Sequence, residues 1–156
     1  MNAKFYYKSS NAPTPSKPNH IGTTAIIIND KHEILLERRS ESNRWGLIGG
    51  GLKINESLKE GCCREVFEET GIVTLDPIQY KIFDDPTRIV AYPDGNILRI
   101  ITVAFLIYAN NDVELVSSEE SNELKFFTPT EISDLDIVET HRHILEDFIF
   151  DKKMHL

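Results

Sequence analysis

The residues with the clearest chemical potential are three glutamates, Glu65, Glu68 and Glu69. Their spacing of three and four residues places all three on roughly one face of a helix. Like charges at this spacing repel one another by about 0.2–0.5 kcal/mol per pair. Carboxylate oxygens gathered in this way suit hard divalent cations, above all Mg²⁺ or Mn²⁺, which often also bind substrate phosphates. The competing interpretation is a solvated acidic face with no ligand.

The helix that carries these glutamates has clear start and stop signals. Ser57 followed by Glu60 matches the capping box that begins a helix. Gly71 can adopt the left-handed conformation that ends one. The glutamates therefore fall in the last turns, where the helix dipole disfavours negative charge. A sequence selected only for stability would carry lysine or arginine there, which favours the metal-binding interpretation.

The stretch around the helix resembles a known family signature. Residues Gly50–Ile72 read GGLKINESLKEGCCREVFEETGI and are similar to the signature of the Nudix (MutT-like) hydrolases, with every specified position filled. The resemblance implies the Nudix fold, an α/β fold in which a mixed β-sheet lies inside an α/β/α sandwich. It also implies hydrolysis of diphosphate linkages with Mg²⁺, or alternatively Mn²⁺. The wider sequence is most similar in character to bacterial ADP-ribose pyrophosphatase-like members.

The resemblance assigns roles to individual residues. It implies that Glu65, Glu68 and Glu69 are metal ligands, helped by the carbonyl of Gly49, and that Glu68 and Glu69 are also catalytic. It implies that Arg64 orients the glutamates through ion pairs, and Arg64 can reach Glu68 four residues ahead. Arg64 can equally reach Glu60, four residues behind. Its alternative is an ordinary surface salt bridge.

Two further residues are implied outside the helix. Family members often place another glutamate, a metal ligand or general base, in a loop after the central strands. Among Glu119, Glu120 and Glu123, we expect Glu120 to take that role. Arg39 matches a family arginine that binds substrate phosphates. An acidic surface loop and a solvated strand end are the respective alternatives.

The chain departs from the family pattern at several positions. Ile48 replaces a common proline, Asn55 a common glycine, and Lys53 a common glutamate that is sometimes linked to metal binding. The number of metal ions is therefore open. Gly61 replaces the usual alanine one turn before Glu65, which either leaves room beside the metals or reflects packing against a strand.

The rest of the chain predicts an N-terminal arm, residues 1–20, and one domain, residues 21–156. The arm contains three prolines and is expected to be mobile or extended, with its aromatic residues able to dock on the body. Hydrophobic periodicity predicts strands at Ile21–Asn29, Glu33–Arg39, Trp45–Ile48, Val73–Phe83 (interrupted near Pro77), Arg88–Tyr92, Asn96–Ala109 and Glu123–Phe127. It also predicts a flexible triple glycine at 49–51 and further helices at Pro129–Leu135 and Val138–Phe150.

Composition limits the partners. The formal net charge of −8 argues against a nucleic-acid-binding surface. No apolar run is long enough for a membrane span, so we expect a cytoplasmic protein with no membrane partner. Cys62 and Cys63 are neighbours on the helix and are not expected to form a disulfide, and Cys62 is expected to pack as a small hydrophobe. Homodimerisation is common in the resembled group and is kept open.

The leading functional prediction is an Mg²⁺-dependent hydrolase of a nucleoside diphosphate linked to another group X, with ADP-ribose or a nucleotide sugar first. Nucleoside triphosphates, including oxidised ones, are the next substrate class. A non-catalytic nucleotide sensor is disfavoured because the signature glutamates are complete. A Nudix-fold isoprenoid diphosphate isomerase is disfavoured because both cysteines lie inside the helix. Candidates for stacking on the base are Phe83, Tyr92 and Trp45, each of which is equally compatible with the core.

Overall fold

The computed structural model of the chain describes residues 3–17 and 19–151. Residues 1, 2 and 18 of the predicted arm and residues 152–156 of the predicted domain lie outside this part of the chain. The secondary-structure elements of the described residues are, in chain order, β1 (Lys4–Tyr6), β2 (His20–Ile28), β3 (Ile34–Arg39), β4 (Trp45–Gly46), β5 (Ile48–Gly51), α1 (Leu58–Thr70), β6 (Ile78–Phe83), β7 (Ile89–Ala91), β8 (Ile97–Tyr108), β9 (Ser121–Phe127), α2 (Pro129–Ser133) and α3 (Glu139–Phe150).

The strands form a mixed sheet in the spatial order β1-β7-β8-β2-β3-β4, with β5 paired to β2, β6 to β8 and β9 to β3. Strand β2 runs parallel to β8 and antiparallel to β3 and β5. Parallel neighbours need a long crossover connection, and α1 lies in the segment that joins them. This topology brings β5 and α1 together beside β2.

The sheet is covered by helices on both faces. Strand β2 alternates between two cores: Ile26 and Ile28 pack with residues of α2 and α3, while Ala25 and Ile27 pack with residues of α1. Strands buried on both faces read as continuous apolar runs, which explains the sequence AIII at the end of β2. The expected α/β/α sandwich with a mixed sheet is confirmed.

The helix boundaries agree closely with the prediction. Ser57 caps α1 in a capping box with Glu60, and Gly71 ends the helix in the left-handed conformation. Thr128 forms a second capping box at the start of α2. In α1, Cys62 is buried in the core as a free thiol, as expected. Burial raises the pKa of this thiol to about 12, so it is unsuited to react as a thiolate.

Two strand predictions were wrong in their extent. The triple glycine is not a flexible link but the greater part of β5, and Gly49, Gly50 and Gly51 pair with Thr24, Thr23 and Gly22 of β2. The predicted strand at Val73–Phe83 begins only at Ile78. Pro77 explains the delay because it has no N–H to donate to a neighbouring strand. Val73 and Leu75, before the proline, are exposed.

The N-terminal arm is extended and contacts the body of the protein. Its strand β1 pairs antiparallel with β7, so that Phe5 lies opposite Val90. Tyr7 stacks on His143 of α3 with the ring centroids 4.0 Å apart. The boundary between arm and domain at residue 21 stays a prediction. In the described ranges, no helix is both long and apolar enough to cross a membrane.

We expect Ser57→Ala to lower the free energy of unfolding by about 1 kcal/mol, because the Ser57 hydroxyl accepts the Glu60 N–H bond. Ser57→Gly should lower the free energy of unfolding by only roughly a few tenths of a kcal/mol, because glycine is itself tolerated as an N-cap residue. Urea denaturation of the two variants measures both values. Equal losses would contradict the assigned capping role.

Candidate active site

The C-terminal half of α1 lies against the glycine strand β5. A Cβ atom added at Gly50 would lie only 2.6 Å from Oε1 of Glu65. A side chain at position 50 would therefore displace the Glu65 carboxylate, which explains why this position holds glycine. Gly61, by contrast, faces Leu52 and Glu56, at 2.8 and 3.1 Å from an added Cβ. Its missing side chain makes room for packing rather than for a metal.

Arg64 ties the helix to the loop before it. Its guanidinium group donates two hydrogen bonds to Glu56, of 2.9 and 2.6 Å, one to Glu65 of 2.8 Å and one to Glu68 of 3.3 Å. This pairing lowers the pKa of the Glu56 carboxyl to about 2. The expected pair with Glu68 is confirmed. The expected reach to Glu60 is wrong, because the Glu60 carboxylate accepts the Ser57 N–H instead.

Glu69 is in a very different position from its neighbours on the helix. Its side chain is 4% exposed, whereas half of the Glu68 side chain is exposed. The Glu69 carboxyl lies close to those of Glu65 and Glu37. Burial, together with the negative charges of Glu37 and Glu65, raises the pKa of Glu69.

Glu37, on strand β3, is a site residue that the sequence reasoning missed. It is 5% exposed, and burial raises the pKa of its carboxyl to about 7. Side chains alternate along a strand, so Glu37 shares a face with Leu35, which packs in the core against α1. The signal in the sequence that could have identified Glu37 is an acidic residue two positions after a core leucine on the same strand face.

A cavity of about 530 Å³ collects most of the predicted site residues. Its walls come from the glycines of β5, the acidic face of α1, the end of β3 and the loop before β9, and its lining residues are Arg39, Gly49, Gly50, Gly51, Glu65, Glu68, Glu69, Ser118, Glu119 and Glu120. Arg39 and Glu120 thus meet the helix glutamates although they are far apart in sequence. Glu123 lies elsewhere, paired with Arg38 at 3.4 Å.

A second cavity, of about 160 Å³, shares Arg39 and the three glycines with the first. Phe5 and Tyr92 line it, and the guanidinium of Arg39 lies 5.4 Å from the centre of the Phe5 ring. Of the three aromatic candidates for base stacking, Tyr92 alone lines this cavity. Phe83 is buried in the core, and Trp45 packs edge-on against Phe127.

His141 also lines the second cavity. Its Nδ1 accepts a hydrogen bond from the N–H of Leu47 at 3.0 Å. Burial lowers the pKa of this histidine well below its ordinary value, so the ring is neutral. A neutral ring that accepts at Nδ1 carries its proton on Nε2. The second cavity therefore has a donor and two aromatic rings beside the acidic cavity.

The oxygen donors of the first cavity fit a hard divalent cation. Glu69, in this cavity, and Glu37, in the adjoining cavity, each keep a buried Oε2 atom that receives no hydrogen bond within residues 3–17 and 19–151. Over the same residues, no three His, Cys, Asp or Glu side chains are already grouped tightly enough to hold a metal ion. Arg64 instead holds the Glu65 and Glu68 carboxylates, through hydrogen bonds from its Nη1 atom. A bound cation would require these side chains to turn.

Comparison with known proteins identifies the family. The sequence profile of the NUDIX domain family matches residues 18–148 of this chain. The chain is a Nudix hydrolase. Members of this family generally use divalent metal ions.

Three relatives of this chain have names that refer to different activities. A MutT-like protein of Streptomyces ambofaciens is 30% identical over 82% of this chain and 77% of its own length. The nucleoside triphosphatase NudI of an Enterobacter species is 31% identical over 75% of this chain and 87% of its own. The ADP-ribose pyrophosphatase of Methanocaldococcus jannaschii is 24% identical over 83% and 72%.

Solved structures of other Nudix proteins share the fold. The MutT protein of Methanosarcina mazei is 28% identical, covers 90% of this chain and 99% of its own, and has a TM-score of 0.67. A bifunctional NMN adenylyltransferase/ADP-ribose pyrophosphatase of Francisella tularensis has a TM-score of 0.69 at 24% identity. The present chain spans 43% of the length of that larger protein.

We expect Arg64→Lys to reduce the free energy of unfolding by about 1–2 kcal/mol, because a lysine can replace one charged hydrogen bond but not the planar fork that binds Glu56. Chemical denaturation measures the loss. Lys59→Gln, on the same helix, removes an exposed ion pair with Asp76; it is the control and should change stability by less than about 0.5 kcal/mol. Equal effects would contradict a structural role for the fork.

Proposed function

We propose that this Nudix hydrolase cleaves the diphosphate linkage of a nucleoside diphosphate joined to another group X, with ADP-ribose or a nucleotide sugar as the first substrate class. The observation that carries the proposal is the pair of adjoining cavities. One contains carboxylates and Arg39, and the other contains two aromatic rings and a neutral histidine. In this proposal the diphosphate occupies the first cavity and the base of the nucleoside enters the second.

We propose Mg²⁺ as the cation, with Mn²⁺ as the alternative. The carboxylates of Glu65, Glu68 and Glu69 would hold it, together with the carbonyl of Gly49, which lies in β5 at the wall of the acidic cavity. When bound, the cation supplies Lewis-acid polarisation and charge neutralisation for the diphosphate. Without that neutralisation, the net charge of −8 and the local glutamates would repel the substrate.

The protein's own residues position the reacting groups. Arg64 holds Glu65 and Glu68 through hydrogen bonds of 2.8 and 3.3 Å from its Nη1 atom, while its Nε and Nη2 atoms bind Glu56. Arg39, whose side chain is 26% exposed and faces the acidic cavity, binds a phosphate oxygen in exchange for its present partner Glu41. In this proposal Glu120, which lines the same cavity, acts as the general base or as a further metal ligand.

The aromatic cavity would hold the nucleobase. Phe5 and Tyr92 offer ring faces, on which any base can stack. His141 offers an N–H to an acceptor atom of the base or ribose. Because Phe5 belongs to β1, the N-terminal arm contributes to the substrate site in this proposal.

Nucleoside triphosphates are the second candidate substrates. Relatives named as the nucleoside triphosphatase NudI are 29–31% identical to this chain. Hydrolysis of a nucleoside triphosphate would yield a nucleoside monophosphate and pyrophosphate. Hydrolysis of a nucleoside diphosphate joined to X would yield the monophosphate and phospho-X. Product analysis therefore separates the two candidates.

We expect phosphate release, measured with a coupled phosphatase and Mg²⁺, from one class in a panel of nucleotide sugars, ADP-ribose, dinucleotide polyphosphates and nucleoside triphosphates. Glu69→Gln should lower kcat by on the order of 100-fold or more, because it removes a charge at the reacting centre. Removal of divalent cations with a chelator should abolish turnover by the wild-type protein.

Glu114→Gln is the control for this experiment, since Glu114 is exposed in the loop before β9 and lines neither cavity. Its kcat should equal that of the wild type. Full activity in Glu69→Gln would rule out the assigned role. Tight nucleotide binding without turnover by the wild type would favour a nucleotide sensor instead.

We expect Tyr92→Leu to raise KM for the preferred nucleotide at least about fivefold, with kcat nearly unchanged, because stacking on an aromatic ring stabilises the bound base by about 1–3 kcal/mol. Steady-state kinetics measure both constants. Tyr108→Leu, at an exposed tyrosine on β8 outside the cavities, is the matched control. An unchanged KM in Tyr92→Leu would place the base elsewhere.

A further inference from the structure

We propose that Glu37 is an additional carboxylate of the divalent-cation site, one that positions Glu69 from the opposite wall. The inference rests on the proposed function, because it assumes that Glu69 is a metal ligand. Glu37 belongs to β3, outside the helix that carries the other three glutamates. Its role would be to hold the Glu69 side chain in place while a cation neutralises both groups.

The first observation is the contact between the two carboxyl groups. Glu37 and Glu69 are 5% and 4% exposed, and their carboxyl groups are close enough for each charge to act on the other. In each, the buried Oε2 atom receives no hydrogen bond from the described part of the chain. Buried carboxylate oxygens normally find a donor or a cation, since burying them without one is costly.

The second observation is that the neighbouring arginines are engaged elsewhere. Arg38 points to the other face of β3, where it pairs with Glu123 and lies over the ring of Trp45. Arg39 forms its ion pair with Glu41, at 2.6 Å. No ion pair joins Glu37 to a basic side chain among residues 3–17 and 19–151. Arg39 acts on the Glu37 charge from a distance but forms no ion pair with it, so a proton or a cation from solution is left to compensate that charge.

The third observation is the position of Glu37 between two openings. It lines a cavity of about 530 Å³ together with Arg39, Ser40, Glu41, Glu119 and Glu120. This cavity shares Arg39, Glu119 and Glu120 with the acidic cavity that contains Glu69. Glu37 thus approaches Glu69 from the side of the β9 loop, whereas Glu65 and Glu68 approach it along the helix.

The decisive measurement is Mn²⁺ binding to Glu37→Gln, by titration calorimetry and by the rise in Tm on adding Mn²⁺, with no substrate present. Glutamine keeps the shape of the side chain and removes its charge. We expect the Kd for Mn²⁺ to rise about 10- to 100-fold, the usual effect of losing a group that orients a metal ligand. We expect the Mn²⁺-induced rise in Tm to fall to less than half of the wild-type value.

Glu123→Gln is the matched control, because it removes one negative charge from the adjacent strand β9 at a position outside the cavities. It should bind Mn²⁺ as the wild type does. Should Glu37→Gln fail to fold, as judged by circular dichroism, Glu37→Asp keeps the charge on a shorter side chain and should weaken Mn²⁺ binding by several-fold.

A double-mutant cycle tests whether Glu37 acts through Glu69. In the Glu69→Gln background, adding Glu37→Gln should change the Kd by less than about twofold. A full additional loss would overturn the positioning role. Wild-type affinity in Glu37→Gln would overturn the inference alone, whereas a wild-type protein that binds no Mn²⁺ would overturn the proposed function with it.

Discussion

The close approach of a glycine strand to the acidic face of a helix is the constraint on which the site depends. A side chain at Gly50 of strand β5 would displace the Glu65 carboxylate, because its Cβ would lie 2.6 Å from Oε1 of that group. The pairing of β5 with β2 holds the strand in that place. The parallel pairing of β2 with β8 in turn accounts for the crossover that carries α1.

Charge is distributed unevenly within this small region. Arg64 compensates Glu56, Glu65 and Glu68 through a network of hydrogen bonds at the protein surface. Glu69 lies deeper, beside Glu37, with carboxylate oxygens that lack donors in the described structure. Buried polar atoms that lack hydrogen-bond partners are characteristic of functional sites. Arg64 therefore stabilises the helix by neutralising the outer glutamates, whereas Glu69 and Glu37 keep carboxylate oxygens that are free to bind a ligand.

The arm and the body cooperate at the second cavity. Pairing of β1 with β7 places Phe5 beneath Arg39, and it carries Tyr7 onto His143. Because the arm is anchored at Phe5 and Tyr7, the Phe5 ring lies next to Arg39, which also faces the acidic cavity. Nucleoside binding and phosphate binding are thereby linked through Arg39 in the proposed function, which makes the order of the arm relevant to catalysis.

Much of the fold and part of the site were predictable from the sequence because their signals are local. Capping residues determine both ends of α1, and the spacing of Glu65, Glu68 and Glu69 places them on one helix face. The signature around them is also contiguous, so the family can be inferred from the order of the residues alone. Strand extents were less predictable where glycine or proline weakens the pattern, as at 49–51 and before Ile78.

Only the tertiary structure decided which distant residues share the site. Strand alternation was compatible with either face for Glu37 until the position of α1 was known, and the partner of Arg64 proved to be Glu56 rather than Glu60. Phe5, Tyr92 and His141 meet in one cavity because β1 pairs with β7 and α3 packs nearby. Local sequence determines helix ends and the spacing of charges along a helix, whereas burial and contacts between elements arise only when the sheet is assembled.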